Sequence, residues 1–178
     1  MYFCTMNYFN QESERLVYRK LSEADIPLWT EFFIDNNLLH FLGLDLSKSH
    51  LELATGWITR QFQRYEEEGL GHLAVIEKAT GKLIGMTGII PRELEGNSYF
   101  EIAYSFIPSY WGKGFASEAS QQMKRFGLEN KVANQFISII DLENFASQAV
   151  ARKNNMEIIF NSTYEGMEVF IFGTGNHK

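Results

Sequence analysis

Across one glycine-rich turn, residues 109–117, the apolar period of this chain changes from two to three and four, and few folds accommodate that switch. Before the turn, residues 99–107 (YFEIAYSFI) alternate as a strand does. Glu101, Ala103 and Ser105 share one face, and Ile102, Tyr104 and Phe106 share the other. After the turn, Phe115, Ala119, Met123 and Phe126 line one face of a helix. Lys124 and Arg125 suit its C-terminal dipole, and Gly127 is expected to end it. A strand that leaves through Gly112 and Gly114 into a helix presents the helix's first, unpaired N–H groups to whatever lies over the turn. The macrodipole there favours an anion by about 0.3–1 kcal/mol.

Several phosphate-binding turns have this outline. A P-loop is excluded, because Lys113 is followed by Gly114 rather than by Ser or Thr. A dinucleotide fingerprint needs its glycines in the first βα unit of a parallel sheet, whereas this turn follows hairpin-like strands. The bare Gly-x-Gly turn also fits an ordinary tight connection, so neighbouring elements have to decide.

Upstream, residues 15–20 (RLVYRK) alternate as a strand, and Ser22 with Asp25 resembles a capping box that opens a helix. Ser49 and Glu52 repeat the pattern ahead of Leu51, Ala54, Ile58, Phe62 and Tyr65, an amphipathic helix ending near Gly69. Residues 32–46 are apolar without a clean period, which leaves open a frayed helix, a loop or the wall of a binding site. Runs 73–77 and 83–90 flank Ala79, Thr80 and Gly81 as an antiparallel hairpin, and 91–98 read as a polar loop. Downstream, 136–140 is a buried strand, 144–154 a helix, and 156–160 with 167–172 a closing pair of strands. The predicted order is β-α-α-β-β-β-α-β-α-β-β. It carries no repeat or composition break, so residues 1–178 form one α+β domain, with 1–14 as a lead-in free to move.

The stretch EIAYSFIPSYWGKGFASEA (101–119) resembles the cofactor-binding segment of the GNAT superfamily of N-acetyltransferases, in particular its ribosomal-protein-alanine acetyltransferase-like branch. The superfamily pattern, Gln or Arg then x-x-Gly-x-Gly or Ala, falls on Trp111, Gly114 and Ala116, with Trp in first place as in that branch. Asn144 and Ser147 match the branch's Asn-x-x-Ser. The resemblance follows the element order along the whole chain and is closest between Glu101 and Met156. It implies a mixed, mostly antiparallel central sheet flanked by helices, with two parallel strands splayed at the cofactor site. It also implies acetyl-CoA as cosubstrate, its pyrophosphate on the backbone of Trp111, Gly112, Lys113, Gly114, Phe115, Ala116 and Ser117. The pantetheine arm would pair with the backbone of Phe106 and Ile107 and take a hydrogen bond from Asn144, a residue that is also a good helix N-cap.

By the same resemblance Glu101 stands where the general base acts through water, and Ser147 where an acid meets the leaving thiolate. Both also read as ordinary residues, a strand-end carboxylate and a first-turn helix serine. The tyrosine acid that many superfamily members place seven positions after the asparagine is Ala151 here, and their Gly-Phe after the last helix is Asn155 and Met156. Asn tolerates the left-handed cap conformation that the glycine supplies. Lys153 fits the family's lysine in a structural or phosphate-near role. The nucleophile must be a neutral amine. An α-amine of pKa near 8 is about 10% neutral at pH 7, a lysine only a few times in ~10,000, so a lysine acceptor leans harder on a base.

The formal net charge of −6 gives no ground for nucleic-acid binding and suits a cationic acceptor, which Glu66, Glu67, Glu68, Glu93, Glu95, Glu165 and Glu168 could steer, although such residues usually face water. Cys4 is the single cysteine, and His40, His50, His72 and His177 lack metal-ligand spacing, so neither a disulfide nor a metal is expected. With no secretory signal and no run of about 18 apolar residues, the expectation is a cytoplasmic protein that does not touch membranes, in which the sequon at 161–163 stays unmodified. The function expected is transfer of an acetyl group from acetyl-CoA to a primary amine, on a protein N-terminus or a small molecule, with a homodimer left open. The alternative is a catalytically silent CoA-binding regulatory or sensor module, suggested by Ala151. A nucleotide-binding protein is the weaker third reading.

Overall fold

The computed structural model describes residues 7–174, so Cys4 and His177 lie outside the described residues. Eight strands, β1 (Asn10–Glu12), β2 (Leu16–Arg19), β3 (Gly71–Glu77), β4 (Leu83–Leu94), β5 (Asn97–Phe106), β6 (Ile137–Asp141), β7 (Glu157–Tyr164) and β8 (Met167–Gly173), form one sheet in the order β1-β2-β3-β4-β5-β6-β8-β7. Every neighbouring pair is antiparallel except β5 and β6, which are parallel and meet at a single position, Glu101 with Ile137. The α+β class and the mostly antiparallel sheet match the expectation.

Helices α1 (Asp25–Trp29) and α2 (His50–Glu67) cover one face of the sheet, where Trp29, Ala54 and Ile58 pack on Ala74 and Met86. Helix α3 (Phe115–Glu129) covers the other, packing Phe115, Ala119, Met123 and Phe126 on Ile84, Ile89, Ile102 and Phe106. Helix α4 (Phe145–Lys153) lies next to α3 and carries Ala151 into a small cluster with Ile140, Met156 and Phe172. The strand-to-helix switch in apolar period is thus the point where the chain leaves the sheet to cover it.

The capping box of α2 forms as the sequence predicts: Ser49 Oγ accepts from Glu52 N at 3.2 Å, and Glu52 Oε2 accepts from Ser49 N at 2.9 Å. Such caps contribute about 1 kcal/mol. Ser22 and Asp25 behave differently. Ser22 donates its N–H and hydroxyl to the Asp25 carboxylate, which also takes an ion pair from Arg19 at 2.8 Å, and the short helix α1 starts on Asp25 itself.

Three expectations are corrected. The lead-in is expected to be free to move, but within its described part β1 joins the sheet, and the buried Tyr8 hydroxyl donates to Gly71 O at 2.6 Å while accepting from Ile89 N at 2.8 Å. Residues 91–98 are not a loop, because β4 and β5 continue to a two-residue turn at Glu95 and Gly96, both at positive φ. Pro91 is tolerated there because the pairing of β4 with β3 begins at Ile89, so no ladder bond is lost beyond it. Gly127 does not end α3, which runs to Glu129. A Cβ at Gly127 would lie 2.3 Å from Phe136 Cζ, so the glycine serves close packing inside the helix.

Candidate active site

The parallel pairing of β5 with β6 stops at Glu101, and the two strands then part. Successive residues of a strand aim their backbone groups at opposite neighbours. Ile107 N–H donates to Ile84 O in β4 at 3.0 Å, which turns the groups of Ile102, Tyr104 and Phe106 toward the gap. Two of these are already bonded: Ile102 O accepts from Ser138 Oγ at 2.8 Å, and Phe106 O accepts from Trp111 Nε1 at 2.6 Å. The backbone of Tyr104 lies between them. Its side chain crosses to α4, where the hydroxyl donates to Ser147 O at 2.9 Å, and burial pushes that phenol well above its ordinary pKa.

Beyond β5 the chain makes one 3₁₀ turn, Pro108–Tyr110, and reaches the glycines. Gly112 and Gly114 have φ of 74° and 83°, values that L side chains adopt at a cost, and Gly114 is the N-cap of α3. A Cβ on Gly112 would meet nothing within 4 Å, so space over the turn is open. Arg15 fastens the turn from the start of β2. It donates to Lys113 O at 3.0 Å, pairs with Glu118 at 2.7 Å, and sets its guanidinium 4.4 Å above the Phe115 ring. This residue, about a hundred positions away in the chain, carries no local signal that sequence reasoning could have used.

A cleft of about 320 Å³ runs over this turn and along the gap, lined by Phe106, Trp111, Gly112, Gly114, Phe115, Ala116, Ser117, Asn144 and Ser147 among the residues singled out from sequence. Lys113 and Ile107 are not in that wall. The Lys113 amine lies 5.0 Å over the Tyr110 ring, and Ile107 is buried in the core on the α2 side. Asn144 caps α4, its Oδ1 accepting from Ser147 N at 3.1 Å. Among the described residues the Ser147 hydroxyl has no hydrogen-bond partner. Ala151 does not reach the cleft, being 1% exposed in the core beneath α4, while Asn155 adopts the left-handed cap with φ 55°.

A second cavity of about 400 Å³ meets the first at Leu42, Tyr104, Ser105, Asn144 and Ser147. Residues 41–45, aperiodic in sequence, form part of its wall together with α2, β3, β4 and β5. Glu101 lies here, 7% exposed, with Oε2 accepting from Arg92 Nε at 2.6 Å and Oε1 unpartnered among the described residues. His72 is also buried against this cavity. Its Nδ1 accepts from Trp57 Nε1 at 3.2 Å, while burial and the charges of Arg64, Arg92 and Arg60 lower its pKa to about 3, so the ring is neutral at pH 7. The histidine reads as unremarkable in sequence, since only the fold brings three arginines toward it. Among the described residues no cluster of His, Cys, Asp or Glu could hold a metal, and no helix is long and apolar enough to cross a membrane.

Fold, turn, gap and paired cavities define an acyltransferase of the GNAT type, and the chain belongs to that family: residues 15–157 match the Acetyltransferase (GNAT) domain. Bacillus subtilis YkkB is 30% identical over 145 residues, a match covering 81% of this chain and 83% of that protein. An acetyltransferase from Agrobacterium tumefaciens shares the fold with a TM-score of 0.76 at 21% identity, covering 99% of this chain and 98% of that one. So does RimL, a ribosomal L7/L12 alpha-N-protein acetyltransferase in complex with coenzyme A, with a TM-score of 0.72 at 18% identity over 91% and 94% of the two chains.

Proposed function

We propose that this enzyme moves the acetyl group of acetyl-CoA to a primary amine by direct attack in a ternary complex, in the cytoplasm, without an acetyl-enzyme intermediate. The observation that carries the reading is the one-position pairing of β5 with β6. It opens a wedge that leads from the N-terminus of α3 to a second cavity holding Glu101. Acetyl-CoA supplies an activated thioester, and the chain's own groups position and deprotonate. The N–H groups of residues 112–117 receive the pyrophosphate at the positive end of α3, exposed by the left-handed Gly112 and Gly114, while the Trp111 N–H is already given to Pro108 O. Along β5 the pantetheine arm pairs best at Tyr104, because the Phe106 carbonyl and the Ile107 N–H are already bonded. Asn144 keeps its side-chain amide for the same arm, its Oδ1 being used by the cap.

The acceptor nitrogen enters from the second cavity and bonds to the thioester carbon as the C–S bond breaks. Its proton passes through water to Glu101 Oε1, and the Ser147 hydroxyl donates to the leaving sulfur. The acceptor is the amine of a protein N-terminus or of a small molecule. Thiol release from acetyl-CoA across an amine panel tests this, and failure on every amine despite tight CoA binding would count against it. That failure would favour a CoA-binding sensor, a reading that rests on the burial of Ala151 where many relatives in the superfamily place a catalytic tyrosine. In that case Glu101→Gln and Ser147→Ala would leave CoA binding unchanged and have no activity to remove.

A further inference from the structure

The second cavity gathers its arginines at one end. Arg60, Arg64 and Arg92 all line it, and the same three line a smaller surface pocket of about 300 Å³ beside it. Arg60 and Arg64 are one turn apart on α2 and project toward the end of β4 that carries Arg92. Among the described residues neither Arg60 nor Arg64 has a carboxylate within ion-pairing distance, and only Glu101 answers Arg92. Burial and the charges of Arg92 and Arg60 make Arg64 easier to deprotonate than an ordinary arginine, outweighing Glu68 and Glu101. Counted over its whole wall the cavity is not cationic, since Asp45, Glu52, Glu101, Asp141 and Glu165 stand against Lys48, Arg60, Arg64 and Arg92. Around His72, however, the three guanidinium groups have Glu101 as their one ion-paired carboxylate among the described residues, and that end suits an anionic group.

A second observation points the same way. His72 is 7% exposed and lines the cavity, and its Nδ1 is an acceptor for Trp57. The neutral ring therefore carries its proton on Nε2, and that buried N–H has no partner among the described residues. A donor this enclosed without an acceptor is rare in native proteins and is met by a water or a ligand atom. Of the other carboxylates that line the cavity, Glu52 is taken by the Ser49 cap, Asp45 by Ser47 and Asp141 by Glu143 N, while that of Glu165, in the turn between β7 and β8, makes no hydrogen bond among the described residues.

Resting on the acetyl-transfer reading, we propose that the acceptor is a small amine that also carries a carboxylate, an amino acid or amino-acid derivative. The carboxylate is held by Arg64, Arg60 and the His72 Nε2–H, while the amine lies toward Glu101 and Ser147. The overall charge of −6 suggests a cationic acceptor, but the field where the cavity meets the smaller surface pocket comes from the three arginines that line both. Two carboxylate oxygens match the planar donors of a guanidinium in a way a lone ammonium cannot.

The test reads binding rather than turnover. N-acetyl derivatives of the twenty common amino acids and their C-terminal amides are titrated calorimetrically, each acid against its own amide, with and without saturating CoA. At least one acid is expected to bind ten-fold or more tighter than its amide. Arg64→Gln is expected to reduce that preference to less than two-fold and Arg60→Gln to reduce it partly, with CoA affinity unchanged in both. Equal binding of acid and amide in every pair, no binding in any pair, or a preference that survives Arg64→Gln overturns the proposal. Absence of CoA binding would instead sink the acetyl-transfer reading, and the arm without CoA still decides the anion question. Circular dichroism and urea midpoints confirm that both variants fold, and Arg60, being exposed, provides the variant least able to disturb the core.

Discussion

In the proposed reaction Glu101 serves two ends at once, as base and as the counter-ion of Arg92, and they can be separated. Replacing it with Gln keeps a hydrogen-bond acceptor for Arg92 but removes the charge, so the buried guanidinium loses its counter-ion. Glu101→Gln is expected to lower kcat/KM by roughly 100-fold or more, the range for losing a positioned base, while CoA affinity measured by calorimetry stays within two-fold. It should also cost stability, read as a lower urea midpoint. Gly88 is constrained by sterics alone. A Cβ there would lie 2.1 Å from Gly71 O, a backbone atom that cannot step aside, so Gly88→Ala is expected to destabilise by about 3 kcal/mol or to prevent folding. Glu101 and Ser147 were legible in sequence as candidates because strand period and motif spacing place them. His72 and Arg15 were not, since their partners come from other elements.

At the scale of elements, the cofactor turn depends on the conformation of two residues and on one long-range clamp. Gly114→Ala must pay for a left-handed backbone at φ 83°, about 1–2 kcal/mol, and is expected to weaken CoA binding roughly ten-fold in a calorimetric titration. Arg15→Ala releases the Lys113 carbonyl and Glu118 together and should weaken CoA binding several-fold while leaving turnover at saturating acetyl-CoA nearly unchanged. A drop in turnover without a change in CoA affinity would show that Arg15 acts elsewhere. The turn, the strand before it and the cap on α4 could all be read from sequence, because glycine, alternation and Asn at an N-cap are local signals. The continuation of β4 through Pro91 could not. It depends on where β3 begins, at Gly71 opposite Ile89.

The whole molecule should show its buried histidine in its acid stability. The His72 pKa is lowered to about 3 from an ordinary 6.5, by burial first and then by the arginines, so the unfolded chain binds more protons than the folded one between those values. Stability is full above pH 6.5 and falls as pH drops from 6.5 toward 3. Asp25 and Glu118 contribute as well. Burial alone would raise both, but Arg19 with Ser22 and Arg15 with Ser13 outweigh it, so their contribution is lost only as pH falls below the ordinary carboxylate range. Urea midpoints between pH 5 and 6.5 therefore report His72, and His72→Gln is expected to flatten that limb; an unchanged slope would refute the assignment. The sequence by itself determined the α+β order, the N-caps of α2 and α4, the glycine-rich turn into α3 and the candidate base and acid, because period, glycine and capping are properties of residues close in the chain. Only the tertiary structure decided that β1 belongs to the sheet, that Ala151 faces the core, and that three arginines and a histidine share one cavity. These are contacts between segments far apart in sequence, settled by packing rather than by local preference.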